Sequence, residues 1–166
     1  GNQLVSLPSE IGNFINLRFG DLSHNELSSL PSEIGNLNNL KDLLLSRNEL
    51  GSLPPEIGIL TNLRRLELSY NQLVSLPIEI DNLTNLCYVT LQNNQLQHLP
   101  SELGQLEQLT EGNCRLLLDG NPLISPPPEV LAQGTPAVLD YLRNQAWWHL
   151  QRLIVSGRQG SGCCWC

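Results

Sequence analysis

The chain has 166 residues, a net charge of −7, 40% hydrophobic residues and no methionine. That length suits one domain, and the acidic balance argues against a nucleic-acid backbone as the main partner. No apolar run is long enough to span a membrane and no N-terminal apolar stretch marks a signal peptide. Without a methionine, residue 1 is not an ordinary start site, and the chain reads as a fragment cut inside a repeating unit.

Asparagines set the period. Asn2, Asn25, Asn48, Asn71 and Asn94 stand 23 residues apart, each followed two residues on by a leucine and then by a Leu-Pro pair ending at Pro8, Pro31, Pro54, Pro77 and Pro100. A fixed period of this size means one supersecondary unit stacked on itself. Residues 1–16 are the back half of a broken unit, and four intact units follow at 17–39, 40–62, 63–85 and 86–108. In Leu66-Glu67-Leu68 the alternation puts leucine inward and glutamate outward, the period of a strand. Successive turns then place these strands side by side in a parallel sheet, at a spacing of roughly 4.8 Å. Asn71 sits where the chain leaves the strand, so its amide is expected to bond the backbone of its own and the neighbouring turn. Pro77 stiffens the return arm, which brings Ile80 and Leu83 back to the core through a short helical or extended segment. Gly20 stands where a leucine is expected and predicts a gap in the first strand layer. The unpaired edge at 17–22 is a place for self-association, though the oligomeric state is not legible.

The fifth unit, 109–133, is irregular. Asn121 follows Asn94 by 27 residues, and removing Gly112, Asn113, Cys114 and Arg115 restores the leucine frame. The expectation is a bulge at 112–115 followed by the last inner strand at 116–118. A helix over 134–148 should cover the end of the stack, with Thr135 as N-cap, Pro136 in its first turn, and Val138, Leu139, Tyr141 and Leu142 at helical spacing. Trp147 and Trp148 are expected to pack at its end. Residues 149–166 are a strand and a Gly/Cys-rich stub.

These units, with their Leu-Pro-x-Glu-Ile-Gly-x-Leu-x-Asn-Leu core, resemble the intracellular leucine-rich repeats of the Ras-suppressor and plant Ras-group type over residues 1–131. The implied fold is an α/β solenoid, curved, with a parallel inner sheet and short helical or extended convex segments, closed by a C-terminal capping helix. The run Gly120-Asn121-Pro122-Leu123 to Val130, with Gly134-Thr135 and Tyr141-Leu142-Arg143, resembles the junction of Roco proteins, where such an array leads into a Ras-like GTPase domain. On that resemblance Gly157, Gly160 and Gly162 begin a phosphate-binding loop, but Cys163 and Cys164 stand where lysine and serine or threonine belong. A thiol supplies neither a fixed positive charge nor a hard oxygen ligand, so no nucleotide or other cofactor is expected.

Catalytic and metal chemistry find no support. His24, His98 and His149 are scattered, and Cys163, Cys164 and Cys166 are three thiols without a fourth partner. Cys87 and Cys114 read as reduced, small apolar residues, which favours the cytoplasm. The glutamates of the Leu-Pro-x-Glu positions, Glu10 to Glu129, read as a solubilising stripe on the convex side. The surface left to carry function is the concave face, where aromatic and arginine side chains suit binding anchors. The candidates are Phe19, Asp42, Arg47, Arg65, Glu67, Tyr70, Tyr88, Gln92 and Asn93, and the expected partner is a protein or peptide.

Overall fold

The computed structural model describes residues 3–145. Each unit contributes one three-residue strand: β1 Phe19–Asp21, β2 Asp42–Leu44, β3 Arg65–Glu67, β4 Tyr88–Thr90 and β5 Arg115–Leu117. They form one parallel sheet in chain order. Register follows the repeat, with Asp42 beside Arg65 and Arg65 beside Tyr88. The central residues Leu43, Leu66 and Val89 face inward and are buried.

Opposite the sheet, each return arm makes one 3-10 turn, at Ser9–Asn13, Ser32–Asn36, Pro55–Ile59, Ile78–Asn82 and Ser101–Gln105. The proline ahead of each holds φ between −65° and −72°. Its carbonyl accepts the N–H three residues on, as from Ile34 to Pro31 at 3.1 Å. The expected helical segments are therefore tighter than α-helix. Between the two layers lies the core. In the third unit Leu63, Leu66, Leu68, Leu73, Leu76, Ile80 and Leu83 are all buried, each contributing on the order of 1.5–3 kcal/mol. The unit reaches that burial only between two neighbours.

The asparagine ladder forms as its spacing implies. Asn71 Nδ2 donates to Leu68 O of its own turn and to Leu45 O of the preceding one, each at 3.0 Å, while its Oδ1 accepts the Leu50 N–H at 3.0 Å. Asn48, Asn94 and Asn121 repeat the pattern. A second amide ladder runs along the opposite edge. Asn39, Asn62 and Asn85 donate across turns to Ile15, Asn38 and Thr61 carbonyls at 2.8, 2.7 and 2.8 Å. Their shared 23-residue spacing was visible in the sequence, but the polar, exposed setting gave no reason to single them out.

Two expectations about the fifth unit need correction. The extra residues are not 112–115. A second 3-10 turn at Glu107–Thr110 keeps Leu109 in the core, and the chain then bends through 111–113, where Gly112 takes φ +51°. Strand β5 begins at Arg115, which pairs with Tyr88. Leu116 is the buried member of the strand and Leu117 its outward neighbour. The leucine frame survives removal of several different four-residue sets between Leu109 and Leu116, so the apolar pattern could not locate the insertion. The consequence is chemical: Cys114 lands beside Cys87, with their Cα atoms 4.6 Å apart, and the two are joined in a disulfide. The reading of these cysteines as reduced is therefore overturned, and the inference of a cytoplasmic setting drawn from it falls with it.

The gap at Gly20 is present. It opens a recess of about 300 Å³ lined by Ile11, Phe14, Leu17, Phe19 and Leu43 among others. At the other end α1, Pro128–Leu131, leads to a second helix, α2, over 135–145. Val138, Leu139 and Leu142 of α2 are buried against the last turn, and Arg143 donates from Nε and Nη2 to Gly104 O at 3.2 and 3.0 Å. Thr135 does not cap the helix as expected. Gly134, at φ +89°, precedes it and accepts the Val138 N–H, while Thr135 Oγ1 turns to Leu116 O. Trp147, Trp148, the 149–166 stub and Gly157, Gly160 and Gly162 lie outside the described residues.

Candidate functional site

The open face of the sheet is built by the two strand positions that alternation turns away from the core. The first column runs Phe19, Asp42, Arg65, Tyr88, and the second Asp21, Leu44, Glu67, Thr90. The structure extends both to Arg115 and Leu117. Arg115 was missed because the expected bulge absorbed it. Beyond the strands come Ser69 and Gln92, whose side chains bond across turns at 3.0 Å.

The next column has an unusual backbone. His24, Arg47, Tyr70 and Asn93 hold φ of 58°, 59°, 58° and 55°, and the equivalent residue of the fifth unit is Gly120 at φ 75°. The tight turn into the buried asparagine requires that conformation. The N–H groups of His24, Arg47, Tyr70 and Asn93 also donate to the next turn, as Arg47 does to Ser69 O and Tyr70 to Gln92 O, both at 2.8 Å. For bulky residues the left-handed region is rare and costs about 1–2 kcal/mol. The ladder holds them there regardless and leaves Arg47, Tyr70 and Asn93 exposed at the rim of the face.

Two stacked pairs cross this surface. The Arg47 guanidinium lies 4.7 Å from the Tyr70 ring centroid, and that of Arg65 lies 5.1 Å from Tyr88. Each joins neighbouring turns. Arg65 also forms an ion pair with Glu67. The Glu67 hydrogen bond is the main cause of its raised pKa, with the Glu67, Tyr88 and Asp42 charges adding to it. At the first turn the Ser23 N–H, 3.0 Å away, and the Ser23 side chain hold the Asp21 carboxyl below its ordinary pKa. Thr90 is nearly fully buried, and its hydroxyl has no hydrogen-bond partner among the described residues.

Of the nine candidates, Phe19, Asp42, Arg65, Glu67 and Tyr88 thus share the strand columns, while Arg47, Tyr70, Gln92 and Asn93 line the adjoining loops. The stacking of Arg47 on Tyr70 and of Arg65 on Tyr88 depends on rotamers and was not legible in the spacing. The face is open and ridged. Among the described residues no group of three or more His, Cys, Asp or Glu side chains could hold a metal ion, and no helix is long and apolar enough to cross a membrane.

The leucine-rich repeat region family matches residues 6–111. The chain belongs to the leucine-rich repeat family. Among solved structures it is similar to the leucine-rich-repeat protein LIC12759 of Leptospira interrogans, at 42% identity and a TM-score of 0.74 over 82% of this chain and 34% of that one. It is also similar to a TDR receptor, at 33% identity and a TM-score of 0.62 over 71% of this chain and 20% of the receptor. The chain therefore spans about a third and a fifth of those two proteins. No match was found among curated proteins. Leucine-rich-repeat arrays are typically non-catalytic modules for protein–protein interaction, and their extended concave surface is what suits them to it.

Proposed function

We propose that this chain is a protein-interaction module that takes a protein or peptide ligand on its concave face, within a larger signalling protein. The observation that carries the reading is the pair of arginine–tyrosine stacks on adjacent turns. Each stack holds two long side chains in place before a partner arrives, which lowers the ordering cost of binding. Tyrosine and arginine near the centre of a surface are the residue types that dominate interface energetics. Phe19, Asp42, Glu67, Gln92, Asn93 and Arg115 surround them.

Replacing Tyr70 and Tyr88 together with alanine tests the site. Partner recovery in a pull-down should fall sharply, since loss of an anchor costs about 2 kcal/mol or more. Unchanged recovery by a folded double variant would overturn the assignment.

A second reading makes the chain the N-terminal arm of a Roco-like GTPase. Its support is the sequence run from Gly120 to Val130 followed directly by the helix at 135–145. Extending the coding frame past Gly162 decides it: a Lys-Ser or Lys-Thr pair and a Ras-like domain support the reading, and a stop in every frame removes it.

A further inference from the structure

Arg18, Lys41 and Arg64 occupy one position of the repeat, the residue just before each strand. The backbone stacks them turn on turn. Lys41 N–H donates to Arg18 O at 2.8 Å, Arg64 N–H to Lys41 O at 2.8 Å, and Cys87 N–H to Arg64 O at 2.9 Å. Cys87 and Cys114 are the next two rungs, and their Cα separation of 4.6 Å shows how closely this position stacks. The backbones that carry the three cations are therefore spaced at roughly 5 Å along the lip of the concave face. Arg18 and Arg64 are exposed and Lys41 is half-buried.

Like charges at that spacing repel one another even in water. Among the described residues none of the three forms an ion pair: those there join Arg65 to Glu67 and Arg143 to Asp140, and no carboxylate stands within salt-bridge distance of Arg18, Lys41 or Arg64. In the neighbouring column the Arg65 charge is met by Glu67, which leaves Arg115 and Asp42 to offset one another. Cations are thus concentrated at one lip of a chain whose net charge is −7.

We propose that this lip, Arg18, Lys41 and Arg64, captures an acidic, extended segment of a protein partner. The proposal rests on the reading that the concave face binds protein and names the chemistry of what it binds. Such a segment lies across the turns, with carboxylates on the cation ladder and alternate side chains reaching Phe19, Leu44 and Tyr88 on the adjoining face. Charge complementarity sets the acidic character. The apolar neighbours and the chain's negative net charge favour a peptide of mixed acidic and apolar residues over a dense polyanion.

The test uses the full chain, its Arg18→Gln/Lys41→Gln/Arg64→Gln variant and its Tyr70→Ala/Tyr88→Ala variant. The probes are a fluorescent peptide alternating Glu with Leu and Tyr, the same peptide with Gln for Glu, and a short sulfated oligosaccharide. Each exposed ion pair is worth up to about fivefold in affinity, so the glutamine variant should bind the Glu peptide about tenfold or more weakly while melting at an unchanged or slightly raised temperature. Added salt should weaken binding to the parent chain and affect the glutamine variant less. The Gln peptide should bind poorly to both. Equal binding of the Glu peptide to parent and glutamine variant overturns the proposal. So does its failure to bind at low salt, or tighter binding of the oligosaccharide. Loss in the tyrosine variant alone would leave the concave-face reading standing and remove the lip. Loss in the glutamine variant alone would do the reverse.

Discussion

Asn71→Ala removes one rung of the buried ladder, and the hydrogen-bond pattern says which of its three bonds matters most. Leu45 O also accepts from Asn48 Nδ2, and Leu68 O also accepts from Asn94 Nδ2, so both carbonyls keep a partner. The Leu50 N–H loses its bond to Asn71 Oδ1 in a fully buried setting. An orphaned buried donor costs about 1–3 kcal/mol, and the space left by the amide adds to that, so the substitution should destabilise by about 2–4 kcal/mol. Asn71→Asp separates the acceptor from the donor role. Its carboxylate would still accept from Leu50 but would face two carbonyl oxygens, so folding should favour the protonated acid, which can donate to one of them. The folded pKa then lies above the unfolded value of about 3.9. The Asp variant should therefore be most stable below that pH and lose stability as pH rises through the raised folded value. Urea unfolding at several pH values, compared at constant slope, measures both. A loss under about 0.5 kcal/mol for Asn71→Ala would refute the ladder's energetic role. An Asp variant as stable at neutral as at acid pH would refute the donor argument.

Three further outcomes are expected. A Cβ on Gly104 would stand 2.7 Å from Arg143 N and 2.9 Å from Leu139 O; Gly104→Ala should push α2 off the last turn at a cost of about 1–3 kcal/mol, seen as faster hydrogen exchange over 135–145 with the earlier turns unchanged. At the left-handed position of Tyr70, Tyr70→Gly should be more stable than Tyr70→Ala by about 1 kcal/mol in thermal or urea unfolding, since only glycine relieves the φ penalty. Cys87 and Cys114, 27 residues apart and joined across β4 and β5, should be unreactive to thiol reagents until the protein is reduced; Cys114→Ser should lower stability by roughly 3–4 kcal/mol through the lost chain constraint.

The 23-residue period was enough to specify the stack. Leucine alternation at Leu66 and Leu68, the turn asparagine Asn71 and the return-arm proline Pro77 each have one environment that satisfies them, and all three recur at one spacing. The outward columns through Arg65 and Tyr88 followed, because alternation forces side chains off the core face. Features that depend on atoms far apart in the chain were not legible. Where the four extra residues fall was invisible, since the positions between Leu109 and Leu116 carry no large aliphatic side chain to mark the frame. Only the sheet register put Cys114 beside Cys87 and Arg115 beside Tyr88. The stacking of Arg47 on Tyr70 likewise needed the strained turn and its cross-strand bond to aim the two side chains. The sequence alone thus determined the repeating frame, because burial and backbone pairing repeat with the chain. The tertiary structure decided the chemistry of the surface, because solvent-facing residues are free of that period and acquire their neighbours only when the turns are stacked.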